Sequence, residues 1–227
     1  GRYYVDARTG AVLHFVSDKH NCAVPGCTGP DAHRAPALAA LLAPPVPTTV
    51  TVRGFTRTGA DAWSALVNAP LPGLEVSVPG VGTRTTDANG QFTIDISAPV
   101  TISIGALDGR HHQAIVGPNA PTASALVNPG VATTITLSSA AASSNEAAHT
   151  TTSYWVDVTN EFCRGILGNT SQLATLSNVA VEVNIADSCN AFYTGNSINF
   201  FNQGGGCANT AFSTVVAHEW GHGLDDR

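Results

Sequence analysis

Two histidines four residues apart near the end of the chain, His218 and His222, constrain its local structure more than any other feature. In an α-helix this spacing stacks both imidazoles on one face, where they can reach a single metal ion. Neutral imidazole nitrogens suit zinc, and Glu219 beside them can take a proton from water. The apolar residues Val215 and Val216 precede the pair, which predicts a helix with one buried face. The alternative is coincidence, expected in fewer than about one in fifty chains of this length.

The third ligand of such a zinc ion is not obvious in this segment. A catalytic zinc takes three protein ligands and keeps a fourth position for water. Asp225 follows His218 by seven residues and shares its helix face, so it is one candidate. A third ligand on the same straight helix would crowd the tetrahedron, which favours a ligand from elsewhere. Asp226 is predicted to orient a ligand imidazole or to cap a neighbouring element.

Composition indicates a globular protein and excludes some partners. The chain has 227 residues, of which 43% are hydrophobic and 11% charged, enough for a substantial core. Ten basic and 16 acidic residues give a net charge of −6 without any basic cluster, which argues against nucleic acid. No apolar run reaches the length of a membrane span. The chain opens inside a strand pattern without an initiator Met or a signal peptide, so we expect a piece of a longer precursor. We also expect a monomer.

The five cysteines fit an exported protein. Cys22 and Cys27 frame a Pro-Gly turn that a disulfide could close, and Cys189 and Cys207 bracket a strand and a Gly-rich turn. Cys163 is left over. A metal knuckle at Cys22 and Cys27 is the alternative, but no second pair stands at matching spacing, so disulfides and a secreted, extracellular location are favoured.

The chain divides into three segments by composition. Alternating residues on either side of Thr9 and Gly10 predict a β-hairpin over 2–16, and a Cys/Pro-rich linker follows to residue 48. Short β-prone runs separated by turns predict an antiparallel β-sandwich over 49–138, with one strand at 113–117. The predicted domains are therefore 1–48, 49–138 and 139–227.

The third segment mixes helix and strand patterns. A helix is predicted after Asn145 as N-cap, with apolar residues at helical spacing. Strands are predicted at 179–187, with Val181, Val183 and Ile185 on one face, and at 197–201, before the helix that carries His218. The adjacent pair His111 and His112 lies earlier, in the sandwich, where neighbouring residues point to opposite faces and a two-histidine metal site is disfavoured.

Residues 70–96, "PLPGLEVSVPGVGTRTTDANGQFTIDI", resemble the carboxypeptidase-regulatory-like or transthyretin-like modules of Ig type. In that pattern Asp87, Asn89 and Gly90 would form the tight turn and Phe92 would enter the core. The resemblance implies a binding or spacer role for the sandwich.

Residues 190–201, "NAFYTGNSINFF", and the segment "HEWGHGLDDR" resemble the gluzincin metallopeptidases of the thermolysin and fungalysin group. "YYVDARTGAVL", at the start of the chain, is similar to the last hairpin of a propeptide in the same enzymes. The resemblance implies an α+β fold. Its parts are a propeptide-type β-hairpin, an inserted Ig-like antiparallel β-sandwich, and an incomplete N-terminal peptidase lobe with a helix, a mixed sheet with an edge strand, and the HExxH helix.

The same resemblance implies the roles of several residues. Glu219 would be the general base, and His218 and His222 two zinc ligands, with a glutamate after Arg227 as the third. The Asn190 side chain and the Ala191 carbonyl would hold the substrate backbone, and Tyr193 would line the cleft. The alternative for the phenylalanines 192, 200 and 201 is that they are core aromatics, which we expect on at least one face of this strand. One catalytic zinc is the implied cofactor, a structural calcium ion a further candidate, and a zymogen the expected precursor.

Two functions from different classes remain open at this point. The first is an exported zinc endopeptidase acting on proteins or peptides, with this piece inactive by itself. The second is a non-catalytic extracellular protein that binds protein or glycan and carries a vestigial peptidase lobe. Retention of Glu219 between His218 and His222 favours the enzyme.

Overall fold

A computed structural model describes residues 2–5, 12–16 and 44–226. The chain forms two compact units, Gly1–Ala43 and Pro44–Arg227. In the smaller unit, β1 (Arg2–Val5) pairs antiparallel with β2 (Val12–Val16), so the two strands of the predicted hairpin are present. The turn at Thr9 and Gly10 and the predicted disulfide between Cys22 and Cys27 lie outside the described residues.

Short β-strands make up the first part of the larger unit. The central one is β3 (Val46–Arg57), whose alternate residues from Thr48 to Thr56 are buried, as a half-buried strand requires. It pairs antiparallel with β4 (Leu66–Pro70) and β7 (Gln91–Ile96), and parallel with β10 (Thr133–Leu137). Two further antiparallel pairs are β5 (Glu75–Val78) with β6 (Gly82–Thr85), and β8 (Val100–Ile104) with β9 (Ala123–Val127).

The strand predicted at 113–117 is replaced by irregular backbone. Val116 forms one isolated bridge, to Glu182, and His112 forms two, to Gly109 and Val179. Ile115 N–H donates to Leu107 O at 2.9 Å and Val116 N–H donates to Val181 O at 3.0 Å, so the segment divides its main-chain hydrogen bonds between an earlier loop and a later strand. The contact with the later strand is made between residues far apart in the sequence, so the local pattern of apolar residues does not reveal it.

Helix α1 (Ser144–Leu167) begins two residues earlier than its predicted N-cap implies. Ser143 is the N-cap: its hydroxyl accepts from Glu146 N–H, while the Glu146 carboxylate accepts from Ser143 N–H at 3.0 Å. This reciprocal capping box satisfies two free N–H groups, whereas Asn145 in the same role would satisfy fewer. A short helix, α2 (Ser171–Thr175), and a 3-10 turn (Leu176–Asn178) follow.

The last part of the chain contains a three-stranded sheet and a final helix. The sheet has the order β11 (Ala180–Ile185), β13 (Ser197–Phe201) and β12 (Ala191–Thr194). β11 runs parallel to β13 and β12 runs antiparallel to it, so β12 is an edge strand. Helix α3 (Ser213–Asp225) carries the histidine pair. None of the described helices combines the length and the apolar character needed to cross a membrane.

A single apolar core joins the strands to the helices. It extends without a break from Val50 in β3 to Val156 in α1 and Trp220 in α3. Side chains of α1 also bond the end of β3: Thr150 Oγ1 donates to Phe55 O at 2.7 Å. The structure is thus mixed α+β with several small sheets. Residues on both sides of the predicted domain boundary at 138/139 contribute to this core, and the boundary stays a prediction.

A polar cluster fastens the loop before residue 113 to α1. The carboxylate of Asp157 is buried and binds Arg110 through two bonds, at 2.7 Å from Nε and 3.0 Å from the terminal nitrogen. Glu161 lies 2.7 Å from His111 Nε2. The hydrogen bond with Asp157 raises the pKa of Arg110 above its ordinary value, so the guanidinium stays charged beside it.

Acid is expected to destabilise the protein through its buried histidines. Burial lowers the pKa values of His111, His112 and His149 below the ordinary 6.5. Below about pH 6.5 the unfolded chain takes up protons that the folded chain resists, so this contribution to stability is complete above that pH and lost as pH falls. Each group can add a slope of up to about 1.4 kcal/mol per pH unit. Urea unfolding at pH 7.5 and 5.5 measures the loss.

A variant checks that the histidines cause this slope. His149 Nε2 donates to Pro118 O at 3.0 Å, a bond that a glutamine amide could also make. His149→Gln should therefore reduce the dependence of stability on pH between 7.5 and 5.5. A slope unchanged in this variant would assign the effect to other groups.

Candidate metal centre

Helix α3 is fixed at its start by the loop between β3 and β4. Its N-cap, Phe212, makes no capping bond through its side chain. The first-turn hydroxyls instead reach that loop: Ser213 Oγ donates to Gly59 O at 2.8 Å and Thr214 Oγ1 to Ala60 O at 3.2 Å. One helix face, with Val216 and Trp220, is buried in the core, as the apolar pattern predicted.

The two histidines of α3 lie on its exposed face and converge. His218 Nε2 and His222 Nε2 are 3.0 Å apart, and the rings meet edge to face with centroids 4.6 Å apart. Two nitrogens bound to one tetrahedral zinc at about 2.0–2.1 Å would lie about 3.3 Å apart. The pair therefore fits two of the ligand positions of a zinc ion with only a small adjustment of the rings.

Glu219 lies beside this pair in a different environment. It is only 6% exposed, yet it lines the same cleft as the two imidazoles. Within the described part of the chain, neither a hydrogen bond nor an ion pair engages its carboxylate. The carboxylate is therefore free to accept a hydrogen bond from a ligand or a water molecule in the cleft.

The cleft brings together all the site residues that the sequence predicted. It encloses about 560 Å³ between α3 and the edge strand β12. The residues that line it are Asn190, Ala191, Phe192, Tyr193, His218, Glu219, His222, Asp225 and Asp226. Of the three phenylalanines 192, 200 and 201, Phe200 is fully buried in the core, as predicted for at least one face of this segment, whereas Phe192 is 37% exposed and lines the cleft. Their roles in substrate binding and catalysis stay predictions, since proximity alone does not assign them.

A glycine lets α3 approach β12 closely. A Cβ atom on Gly223 would stand 2.9 Å from Leu176 Cδ2 and 3.1 Å from Tyr193 Cε2, closer than side chains normally pack. The Tyr193 hydroxyl donates to Asp226 Oδ2 at 3.2 Å and accepts from Asn196 N–H at 3.1 Å. Asp226 thus bonds the tyrosine of the opposite wall, whereas its predicted contact with an imidazole stays a prediction.

The predicted disulfide between Cys189 and Cys207 is confirmed. The two Cα atoms are 5.2 Å apart, and the bond encloses β12 and β13. The disulfide therefore joins the two ends of the segment that contains β12, the strand that forms one wall of the cleft. Cys163 is a free, half-buried thiol whose pKa is raised by burial, so it is less reactive than an ordinary cysteine.

The described residues supply two ligands but not a third. No group of three or more His, Cys, Asp or Glu side chains within residues 44–226 is arranged to hold a metal ion. Asp225 lines the cleft without completing such a group. His112 is also engaged elsewhere: its Nδ1 lies 2.8 Å from Gln113 O and its Nε2 3.3 Å from Ser153 Oγ.

A second cleft escaped the sequence analysis. It encloses about 570 Å³ beside α1 and is lined by Arg110, His111, Glu161, Arg164, Gly165, Asn169 and Ser177. Arg164 is held there by neutral acceptors only, among them Asn160 Oδ1 at 2.6 Å and Asn169 Oδ1 at 2.7 Å. These residues are scattered along the sequence without a recognisable spacing, so no local pattern could have grouped them.

The comparisons with known proteins give no relative. No protein-family model matches the chain, no curated protein matches it, and no solved structure matches it. The chemistry of the centre therefore has to be inferred from the chain's own residues.

Proposed function

We propose that the protein is a zinc-dependent endopeptidase of gluzincin type. The observation that carries the proposal is the convergence of His218 Nε2 and His222 Nε2, 3.0 Å apart, in a cleft that also holds the buried, unpartnered Glu219. Two nitrogen ligands and a carboxylate kept free beside them form part of the set that hydrolysis with a metal-activated water needs, and a third ligand completes it.

Each residue has a separate task in this proposal. When bound, zinc would polarise a peptide carbonyl and lower the pKa of a water molecule towards about 7. His218 and His222 hold the ion in its place, and Glu219 accepts the proton of the attacking water. Its position in the same cleft as the two imidazoles supports this role.

The wall formed by β12 fits an extended peptide. This strand pairs with β13 on one side, and its other side has no strand partner in residues 44–226. A substrate can add to such an edge through main-chain hydrogen bonds, largely independently of its sequence. We propose that Ala191 and Asn190 hold the substrate backbone there, with Tyr193 at the floor of the cleft.

The third zinc ligand in this proposal depends on the resemblance. It is assigned to a glutamate that follows Arg227, since residues 44–226 do not supply it. Export is supported by the disulfide between Cys189 and Cys207, a bond typical of oxidising compartments.

Zinc binding by residues 1–227 tests the proposal directly. The chain should bind about one zinc ion, weakly and reversibly, because two histidines alone give only part of the usual affinity. His218→Ala or His222→Ala should weaken binding by more than about 10–100-fold, the usual cost of removing an outer-shell partner of a ligand. Competition with a chromophoric chelator measures the dissociation constants.

A histidine outside the pair provides the control. His149 is buried and bonded to Pro118 O, so His149→Gln should leave zinc affinity unchanged. Zinc affinity equal to that of the parent chain in the His218→Ala, His222→Ala double variant would contradict the proposal.

A further inference from the structure

The loop between β3 and β4, residues 58–65, belongs to the sandwich but is attached to the metal-binding helix. Its Gly59 and Ala60 carbonyls accept the hydroxyl protons of Ser213 and Thr214, at 2.8 and 3.2 Å. Ser213 is buried at this contact, so the attachment is shielded from water. The β3–β4 loop therefore keeps a fixed position relative to α3.

The β3–β4 loop is also internally ordered. Asp61 Oδ1 accepts from Trp63 N–H at 2.8 Å and from Ser64 Oγ at 3.3 Å, and Ser64 N–H donates to Asp61 O at 3.2 Å. Arg57 donates from its guanidinium to Ser64 O at 2.5 Å. These bonds close a tight turn, so the residue at its tip is displayed in one conformation at little further entropic cost.

Trp63 is the residue displayed at this tip. Its 75% exposure is the highest among the large hydrophobic residues of the described chain. Scattered exposed apolar residues are ordinary on protein surfaces, but this tryptophan lies in an ordered loop that is hydrogen-bonded to the helix with the histidine pair. Tryptophan is enriched among the residues that dominate binding energy, because a large rigid surface is buried at low entropic cost.

The helix geometry links Trp63 to the histidine pair. Thr214, His218 and His222 are spaced four residues apart and are all exposed, so they follow one face of α3. Ala60 contacts this face at Thr214, about one turn or 5.4 Å before His218. The β3–β4 loop therefore contacts the N-terminal end of the α3 face whose later residues, His218 and His222, line the cleft.

We propose that Trp63 is a specificity-determining residue that binds an apolar or aromatic side chain of the polypeptide substrate. This inference rests on the proposed peptidase function, because it concerns the substrate of the same cleft. An extended peptide advances about 3.3 Å per residue, so the side chain that reaches Trp63 lies a few residues from the bond held over the histidines. The sandwich then takes part in substrate selection as well as in the fold.

Peptide binding to zinc-free residues 1–227 tests the inference without cleavage. The probes are a 12-residue Ser/Ala peptide with one central Phe and the same peptide with Ala in place of Phe, measured by calorimetry. The parent chain should bind the Phe peptide about tenfold more tightly than the Ala peptide, the gain typical of an aromatic pair. Trp63→Ala should reduce this ratio to below about twofold, and Trp63→Phe should keep most of it.

A second exposed apolar residue of the sandwich is the matched control. Leu126 in β9 is 58% exposed, and Leu126→Ala should leave the ratio unchanged. An equal affinity of the parent chain for both probes, or a ratio that survives in Trp63→Ala, would overturn the inference.

Zinc titration of the same samples separates this result from the proposed function. Zinc affinity should be the same in Trp63→Ala and in the parent chain, because the tryptophan is not a ligand. If zinc binds but Trp63 has no effect on the ratio, only the inference fails. If the ratio depends on Trp63 but no zinc binds, the peptidase proposal fails, and so does Trp63 as a residue that selects its substrate.

Discussion

Gly73→Ala is expected to lower the free energy of unfolding by about 4 kcal/mol. Gly73 has a φ of +67°, which costs an alanine about 1–2 kcal/mol. A Cβ atom there would also overlap Oδ1 of Asp157, so the carboxylate would have to leave Arg110. Separating a buried ion pair costs about 3–5 kcal/mol. The cost here lies towards the lower end of that range, because the Arg110 side chain is 34% exposed and water can hydrate its charge. Equilibrium unfolding in guanidinium chloride measures the change.

Gly80 provides a control that isolates the backbone contribution. Its φ of +74° is close to that of Gly73, but a Cβ atom would meet nothing within 4 Å. Gly80→Ala should therefore cost only the conformational part, about 1–2 kcal/mol. A similar loss in both variants would mean that the contact with Asp157 contributes little to stability.

Periodicity made several elements predictable from the sequence. The alternation along β3 and the burial of Val181 and Val183 in β11 follow the period of two that a half-buried strand needs. β13 matches its predicted limits because Gly-containing turns flank a short apolar run. The pattern around His218 likewise predicts α3, since its apolar and polar residues separate onto two faces.

Contacts between distant residues explain what the sequence could not show. Asp157 and Arg110 are 47 residues apart, and nothing local marks either as a partner of the other. The bond from Ser213 to Gly59 spans 154 residues, so the attachment of the β3–β4 loop to α3 was not predictable. Local propensity is a weak guide where such contacts decide the structure, as at residues 113–117.

The candidate site was more predictable than the fold around it. A helix fixes the relative positions of His218, Glu219 and His222 by itself, so spacing in the sequence becomes geometry directly. Placing Asn190 and Tyr193 in the same cleft needed the resemblance, because the sequence does not show that β12 faces α3. Trp63 had no signal at all, since an exposed tryptophan in a turn looks like any other loop residue until its neighbours are known.

Glu219→Gln is expected to abolish most peptide hydrolysis while leaving zinc in place. The amide has nearly the same shape as the carboxylate, so the cleft should not change, but it cannot accept a proton from water. A general base usually contributes about 10²–10⁴-fold to the rate, so kcat should fall by that factor. The assay uses casein and the longest natural chain that contains residues 1–227, with zinc content measured on the same samples.

Asp225→Asn makes the same chemical change at another carboxylate of the cleft. If Glu219 is the base and the third ligand lies elsewhere, this variant keeps its zinc and loses far less activity than Glu219→Gln. Loss of zinc in Asp225→Asn would instead identify Asp225 as the third ligand. Full activity in Glu219→Gln would show that another group takes the proton, and the buried carboxylate beside the two histidines would then need a different explanation.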